Sequence, residues 1–147
     1  GAGGVRERGG VVGGGGEFGD GEARGRDAGE SLRAGVGPDD VSTATALYNL
    51  GGLAKRQGKY DEAERAYKEA LRVFVAKLGS TQGETADTHY QLGSLYRRKQ
   101  EYQKAMDHFQ EAASAYERTF GPSDRRVEEA TRRTKAMLRH LTGQGRR

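Results

Sequence analysis

The sequence repeats itself with a period of 42 residues, and this periodicity limits the possible folds more than any other feature. Glycine recurs at Gly37, Gly79 and Gly121. Residues 37–78 and 79–120 align without a gap and are identical at twelve positions, most of them apolar or small. A period of this length is typical of stacked supersecondary units, each of which buries its apolar face against a neighbour. Such arrays usually present surfaces to partners, so the period bears on function as well as fold.

Composition divides the chain unevenly. Residues 1–36 hold 14 of the 24 glycines and few sizeable apolar side chains. Because so little apolar surface cannot offset the conformational entropy of folding, we expect this segment to be disordered. Residues 37–142 carry nearly all the aliphatic and aromatic groups, and we expect them to form the folded array, with a frayed tail at residues 143–147.

Each 42-residue unit reads as two helices. In the first unit, apolar residues from Ala44 to Ala54, and again from Tyr60 to Leu78, are three or four positions apart. Gly58 between the two runs is expected to close the first helix, because glycine accepts the left-handed conformation of a helix end. The second unit repeats the pattern, although Gln100 replaces the glycine of its internal turn.

The units are expected to end at glycines, with a fifth helix after the second unit. Gly79 and Gly121 are placed to end the second helix of each unit. The fifth helix is predicted at residues 122–142, with Pro122 in its first turn and Ser123 or Asp124 as its cap. Its apolar stripe and charged opposite face are typical of a terminal helix that closes a stack.

Two glycines lie inside predicted helices at matching places in the two units. Gly51 and Gly93 each cost about 1 kcal/mol relative to alanine in a helix interior. We interpret their recurrence as a sign of close packing between helices, where no side chain fits.

These residues resemble the tetratricopeptide repeat (TPR) family, in its 42-residue variant seen in kinesin light chains. The resemblance covers residues 37–141 and rests on a Leu-Gly pair in each first helix and an Ala-aromatic-Ala pattern in each second helix. It implies an all-α fold of antiparallel helix-turn-helix repeats, a TPR α-solenoid, with two full repeats and a closing helix. The residues that carry it are Leu50, Gly51, Ala63, Tyr67, Ala70, Leu92, Gly93, Tyr96, Ala105, Phe109 and Ala112.

In this family the first helices line a concave groove that holds a partner peptide. The resemblance therefore implies a non-catalytic protein-interaction scaffold. The residues expected to contact the peptide are Tyr48, Asn49, Lys55, Arg56, Tyr90, Gln91, Arg97, Arg98, Arg132 and Arg133. Some members grip a C-terminal carboxylate, but Glu129 stands where that clamp needs a cation.

Basic residues on the predicted first helices recur at the repeat period. Stacked first helices would align them into a positive stripe that attracts an acidic peptide. Two other interpretations stay open: a solvated face that only keeps the array in solution, and a surface for nucleic acid. Asp87 and Glu129 disfavour the latter, since they would lie among phosphates.

The sequence offers no pattern for catalysis, for a cofactor or for a metal. There are no cysteines, which excludes thiolate ligands and disulfides. His89, His108 and His140 lie on different predicted helices, and we expect His89 to be a packed residue at the position of Leu47. No apolar run is long enough to span a membrane, and no secretory pattern is present, so we expect a cytoplasmic protein.

A structural role is the alternative to peptide binding. Two repeats are fewer than the three or so that such arrays need for stability. Leu47, Leu53 and Ala54 are expected at an uncapped end of the stack. Either further repeats or another copy of the chain would then complete it, which makes a homo-oligomer the alternative to the peptide-binding scaffold.

Overall fold

The computed structural model describes residues 40–80 and 82–143, and every regular element in these ranges is a helix. The expected disordered segment at residues 1–36 and the last four residues lie outside the described part. The all-α fold class and the order of two helix-turn-helix repeats followed by a closing helix are confirmed. The helices are α1 (Val41–Arg56), α2 (Tyr60–Leu78), α3 (Gly83–Arg98), α4 (Tyr102–Phe120) and α5 (Arg125–Thr142).

The chain divides into two compact units, Gly1–Lys77 and Leu78–Arg147. The first contains α1 and nearly all of α2, and the second contains α3, α4 and α5. None of the helices in the described ranges has both the length and the apolar character needed to cross a bilayer.

The turn inside each repeat has the same hydrogen bonds although only one of the two turns has a glycine. In the first unit, the Lys59 amide donates to the Ala54 carbonyl at 2.9 Å and Gly58 has a φ of 80°. In the second, the Glu101 amide donates to the Tyr96 carbonyl at 2.9 Å and Gln100 has a φ of 64°. In both turns the donor lies five residues after the acceptor, which is the hydrogen bond of the Schellman motif that ends many helices. This motif favours glycine at the residue before the donor, which has the left-handed conformation. Gln100 therefore adopts a conformation that suits glycine better.

The close packing expected at the two helical glycines is confirmed in both units. A Cβ atom at Gly51 would come within 2.9 Å of the Tyr67 ring, and one at Gly93 within 2.8 Å of the Phe109 ring. Both rings are almost completely buried. In each repeat the first helix therefore packs its bare backbone onto the aromatic ring of the second helix.

The closing helix starts later than expected. Pro122 and Ser123 lie in the turn after Gly121, and α5 begins at Arg125. The reason is the cap: the Asp124 side chain accepts a hydrogen bond from the Arg126 amide at 2.9 Å. The carboxylate satisfies an amide that has no partner within the helix, so the helix is initiated at Asp124 and not at the proline.

The apolar stripe of α5 is only partly buried, which corrects the sequence interpretation. Ala130 and Met137 are buried, but the side chains of Leu138 and Leu141 are 49% and 43% exposed. Phe120, at the end of the apolar run of the second unit, is 41% exposed, and the Arg126 guanidinium lies over its ring at 3.6 Å from the centroid.

The apolar residues expected at an uncapped end of the stack are not exposed on α1. Leu47, Leu53 and Ala54 are all buried, with 6%, 5% and 0% exposure. They belong to the packed face of the helix, so they give no evidence of an open apolar end there.

Candidate peptide-binding surface

The predicted contact residues of the first unit lie on the less buried side of α1. Leu50 and Gly51 face the interior, which leaves Tyr48, Asn49 and Lys55 half-buried, and Arg56 exposed. The Tyr48 ring packs edge-on against the Tyr67 ring, with centroids 5.6 Å apart and an angle of 66°. One side of the Tyr48 ring thus packs against the core. The contact with a partner peptide that the sequence predicts for Tyr48 stays a prediction.

Tyr67, the ring beneath this surface, is held in its neutral form. Burial raises the pKa of its phenol far above the ordinary value, and the nearby phenol of Tyr48 raises it further. The Arg56 guanidinium acts in the opposite direction, since a positive charge stabilises a phenolate. Arg56 therefore lies close enough to the Tyr67 phenol for its charge to be felt there.

Tyr90 in the second unit repeats the arrangement of Tyr48. Its ring packs edge-on against Phe109, with centroids 5.2 Å apart and an angle of 66°. Its hydroxyl donates to Glu129 Oε2 on α5 at 3.3 Å. Burial raises the pKa of the Tyr90 hydroxyl, and Arg133 partly offsets that increase. Tyr90 therefore joins α3 to α5 and remains a proton donor at neutral pH.

Glu129 is the centre of a charged cluster that the sequence did not predict. Arg133 Nε donates to Glu129 Oε2 at 2.8 Å, and Arg132 donates to Glu129 Oε1. Hydrogen bonds from Arg133, and then from Arg132, lower the pKa of the Glu129 carboxyl. The hydrogen bond between Arg133 and Glu129 also raises the pKa of the Arg133 guanidinium. The carboxylate therefore neutralises part of the predicted positive stripe and positions both guanidinium groups. We call Tyr90, Glu129, Arg132 and Arg133 the Glu129 cluster.

The Glu129 cluster remains open to solvent and keeps a net positive charge. The side chains of Arg132 and Arg133 are 62% and 41% exposed, and that of Glu129 is 33% exposed. Two guanidinium groups around one carboxylate leave one positive charge and several unused N–H donors. The helix α5 as a whole is basic, with six Arg or Lys residues against two Glu.

The other predicted residues of the second unit lie along α3. Gln91 is half-buried next to Tyr90, and Arg97 and Arg98 are in the last turn. Arg97 is half-buried, and its Nε is buried without a hydrogen-bond partner in the described part of the chain. Arg98 is exposed. The structure thus joins Tyr90 to Arg132 and Arg133, whereas a single groove that also includes Tyr48, Asn49, Lys55 and Arg56 stays a prediction.

Two further contacts of the second unit were not predicted from the sequence. The Tyr116 hydroxyl donates to Asp87 Oδ1 at 2.5 Å, which ties α4 to the first half of α3. The Nδ1 atoms of His89 and His108 are 3.0 Å apart. The signal in the sequence was that both histidines lie on the half-buried sides of consecutive antiparallel helices.

The histidine pair does not extend to a metal cluster. Within residues 40–80 and 82–143, no group of three or more His, Cys, Asp or Glu side chains is placed to hold a metal ion. A shallow depression in the surface at the start of α5 is lined by Asp124, Arg125, Arg126, Glu128, Glu129 and Arg132.

Comparisons with known proteins agree with the repeat architecture. The family profile described as tetratricopeptide repeat matches residues 30–76 and 42–118. Among solved structures, the fold is similar to BtubC (BKLC) from P. vanneervenii, with a TM-score of 0.68 and 19% sequence identity. The match covers 86% of this chain and 58% of BtubC. No curated protein is similar in sequence.

The repeat pattern, the glycine-on-aromatic packing and the profile match lead to one assignment. Repeats of this kind are typically non-catalytic modules that bind other proteins. The chain belongs to the tetratricopeptide repeat family.

Proposed function

We propose that this chain is a non-catalytic scaffold that binds an acidic peptide segment of a partner protein. The supporting observation is the Glu129 cluster, in which one carboxylate holds Arg132 and Arg133 in defined positions on a solvent-exposed face. Guanidinium groups fixed in this way lose less side-chain entropy when they bind a carboxylate, and they can bind it through two parallel hydrogen bonds.

Arg97 and Arg98 extend the proposed surface along α3. Arg98 is exposed and Arg97 is half-buried in the last turn of this helix, where their positive charges would attract acidic side chains of a peptide. Tyr90, a half-buried member of the Glu129 cluster, connects this helix to α5. In the first unit, Tyr48, Asn49, Lys55 and Arg56 occupy the matching positions, and with Gln91 they complete the proposed contact set.

A charge-reversal experiment tests this proposal. The double variant Arg97→Glu/Arg98→Glu changes α3, and the matched control Lys77→Glu/Arg118→Glu makes the same change in charge on exposed residues of α2 and α4. Binding of a labelled peptide rich in Glu and Asp is measured by fluorescence anisotropy at low salt. We expect the α3 variant to bind about tenfold more weakly or worse, because reversed charges at an interface repel the ligand.

The control distinguishes a site from general attraction by a basic protein. It should retain most of the affinity, and a peptide with Gln and Asn in place of the acids should bind neither variant. Equal loss in both double variants, with unchanged helical circular dichroism, would show that only net charge matters. Tighter binding of an oligonucleotide than of the peptide would favour nucleic acid instead.

Self-association is the second candidate, and one observation favours it. Leu138 and Leu141 lie three residues apart on the last helix and are about half exposed. A second copy that packed against this face would bury them, which stabilises an assembly by about 25 cal/mol for each Å² of apolar surface. Sedimentation velocity over a range of concentrations decides this, since a monomer at all concentrations excludes the homo-oligomer.

A further inference from the structure

The histidine pair of the second repeat joins the two helices that form that repeat. His89 lies on α3 and His108 on α4, with Nδ1 atoms 3.0 Å apart and ring centroids 5.3 Å apart. Both side chains are half-buried. A contact this short between two ring nitrogens requires that one carries a hydrogen and the other offers a lone pair. The pair is therefore a hydrogen bond between helices.

Protonation affects this bond in two different ways. If one imidazole takes up a proton, an N–H still faces a lone pair and the bond remains. If both are protonated, two N–H donors and two positive charges face each other at about the same distance. Like charges this close repel strongly, particularly where burial keeps water away. The contact therefore tolerates one additional proton and is broken by the second.

Aromatic and charged groups of both helices lie near the pair. The Tyr96 ring stacks on His108 with centroids 5.5 Å apart, and Lys104 Nζ lies over the Tyr96 ring at 5.4 Å from its centroid. Glu111 on α4 is the acidic group whose charge acts on His89. Burial lowers the pKa of His89, and Glu111 offsets only part of that effect.

The first repeat provides an internal comparison for the pair. The positions 42 residues earlier are Leu47 and Ala66, and both are buried apolar side chains. At these positions the first repeat therefore has contacts that protons do not affect. The titratable contact distinguishes the second repeat from the first.

We propose that His89 and His108 form an acid-sensitive latch that holds α3 against α4 near neutral pH and releases it when both are protonated. This inference does not rest on the proposed peptide binding, although α3 also carries Tyr90, Arg97 and Arg98. Because the latch couples helix packing to protons, the second repeat should loosen in mildly acidic solution while the first does not.

The direction of the pH effect follows from linkage. In an unfolded chain both histidines titrate near the ordinary value of about 6.5. In the folded chain the second proton binds only at lower pH, so below about 6.5 the unfolded state binds more protons. The stability that the latch provides is thus complete above this pH and falls as the pH decreases. Where the unfolded state binds one proton more than the folded state, the equilibrium constant for unfolding rises by about tenfold for each unit by which the pH falls.

A repeat-matched variant tests the latch. His89→Leu/His108→Ala gives the second repeat the residues of the first, and His140→Gln removes a histidine outside the pair as the control. Urea unfolding is measured from pH 7.5 to pH 5. We expect the wild type and His140→Gln to lose stability below about pH 6.5, with hydrogen exchange increasing first in α3 and α4. The double variant should lose this part of the pH dependence.

A second measurement keeps the inference testable if the double variant does not fold. Histidine ring signals of the unmodified 147-residue chain are followed by nuclear magnetic resonance during a pH titration. Two successive steps that both move signals of His89 and His108, with one step well below pH 6.5, support the latch. Independent titration of both rings near pH 6.5, or the same pH dependence in the double variant as in wild type, overturns it.

Discussion

Gly51 lies so close to Tyr67 that a Cβ atom at residue 51 would approach Cδ1 of the ring to 2.9 Å. The ring cannot easily move away, because it is 1% exposed and the Tyr48 ring packs against it. Gly93 and Phe109 have the same relationship in the second repeat. The absence of a side chain at both glycines is therefore what allows the two helices of each repeat to pack closely.

The first prediction concerns Gly51→Ala, which should destabilise the fold by about 1 kcal/mol. Overpacking a core with one methyl group costs about 1–3 kcal/mol, and the better helix propensity of alanine returns about 1 kcal/mol. The free energy of unfolding is measured by urea denaturation with far-ultraviolet circular dichroism.

The adjacent glycine is the matched control for this variant. A Cβ at Gly52 would lie 3.5 Å from the Tyr67 hydroxyl, which is an ordinary contact. Gly52→Ala should therefore keep only the gain in helix propensity and stabilise the chain by up to about 1 kcal/mol. If both variants shift stability in the same direction, the ring contact does not control packing.

The second prediction exchanges the residues of the two internal turns. Gln100 has a φ of 64°, a left-handed conformation that costs a residue with a Cβ about 1–2 kcal/mol. Gln100→Gly should stabilise the chain by about 0.5–1 kcal/mol, since part of the relief is lost to the greater freedom of glycine in the unfolded state. The measurement is the midpoint of denaturant unfolding, which should rise while the slope of the unfolding free energy against denaturant concentration stays unchanged.

The reverse exchange in the first repeat is the control. Gly58→Gln places a side chain where φ is 80° and no atom lies within 4 Å of the new Cβ. The cost would then be conformational and not steric. Gly58→Gln should therefore destabilise the chain by about as much as Gln100→Gly stabilises it. A neutral Gly58→Gln would contradict the assignment of strain to Gln100.

The third prediction concerns acid and the cap of α5. A hydrogen bond from the Arg126 side chain, and then one from its backbone amide, lower the pKa of Asp124 from 3.8 to about 2. A carboxyl whose pKa is lower in the folded state stabilises the fold above its unfolded pKa. The contribution of Asp124 should therefore be complete above about pH 4 and decrease between pH 4 and pH 2.

Hydrogen exchange in the first turn of α5 measures this effect locally. Asp124→Asn keeps an oxygen that can accept from the Arg126 amide but has no charge to titrate. It should keep part of the protection of the first turn at pH 5 and show no further loss between pH 4 and pH 2. Equal acid sensitivity in Asp124→Asn would assign the effect to other carboxylates.

Much of the fold could be predicted because it depends on periodic features of single helices. The positions of the Leu-Gly pairs and aromatic residues determine which side of each helix is buried, and Gly58 and Gly121 mark helix ends through their backbone freedom. Predictions were poorer at the last helix. There the helix begins at the Asp124 carboxylate cap and not at Pro122. Leu138 and Leu141 are exposed although they belong to the apolar stripe, because burial also depends on the surfaces of neighbouring helices, which an apolar pattern does not describe.

The candidate site was less predictable, because charge placement depends on contacts between helices. The sequence correctly placed Arg132 and Arg133 on a charged side of the closing helix. It treated Glu129 as an unsuitable neighbour, whereas the folded chain uses that carboxylate to bind both arginines and the hydroxyl of Tyr90.

By itself the sequence determined the repeat, the helices and the family, since these follow from a 42-residue period and from residues that act through local backbone preferences and apolar spacing. The tertiary structure alone decided which side chains meet. Tyr90 and Glu129 are 39 residues apart, and His89 and His108 are 19 apart. Contacts over such separations arise only when helices pack, because packing direction and side-chain conformation together set which polar groups come within hydrogen-bonding distance.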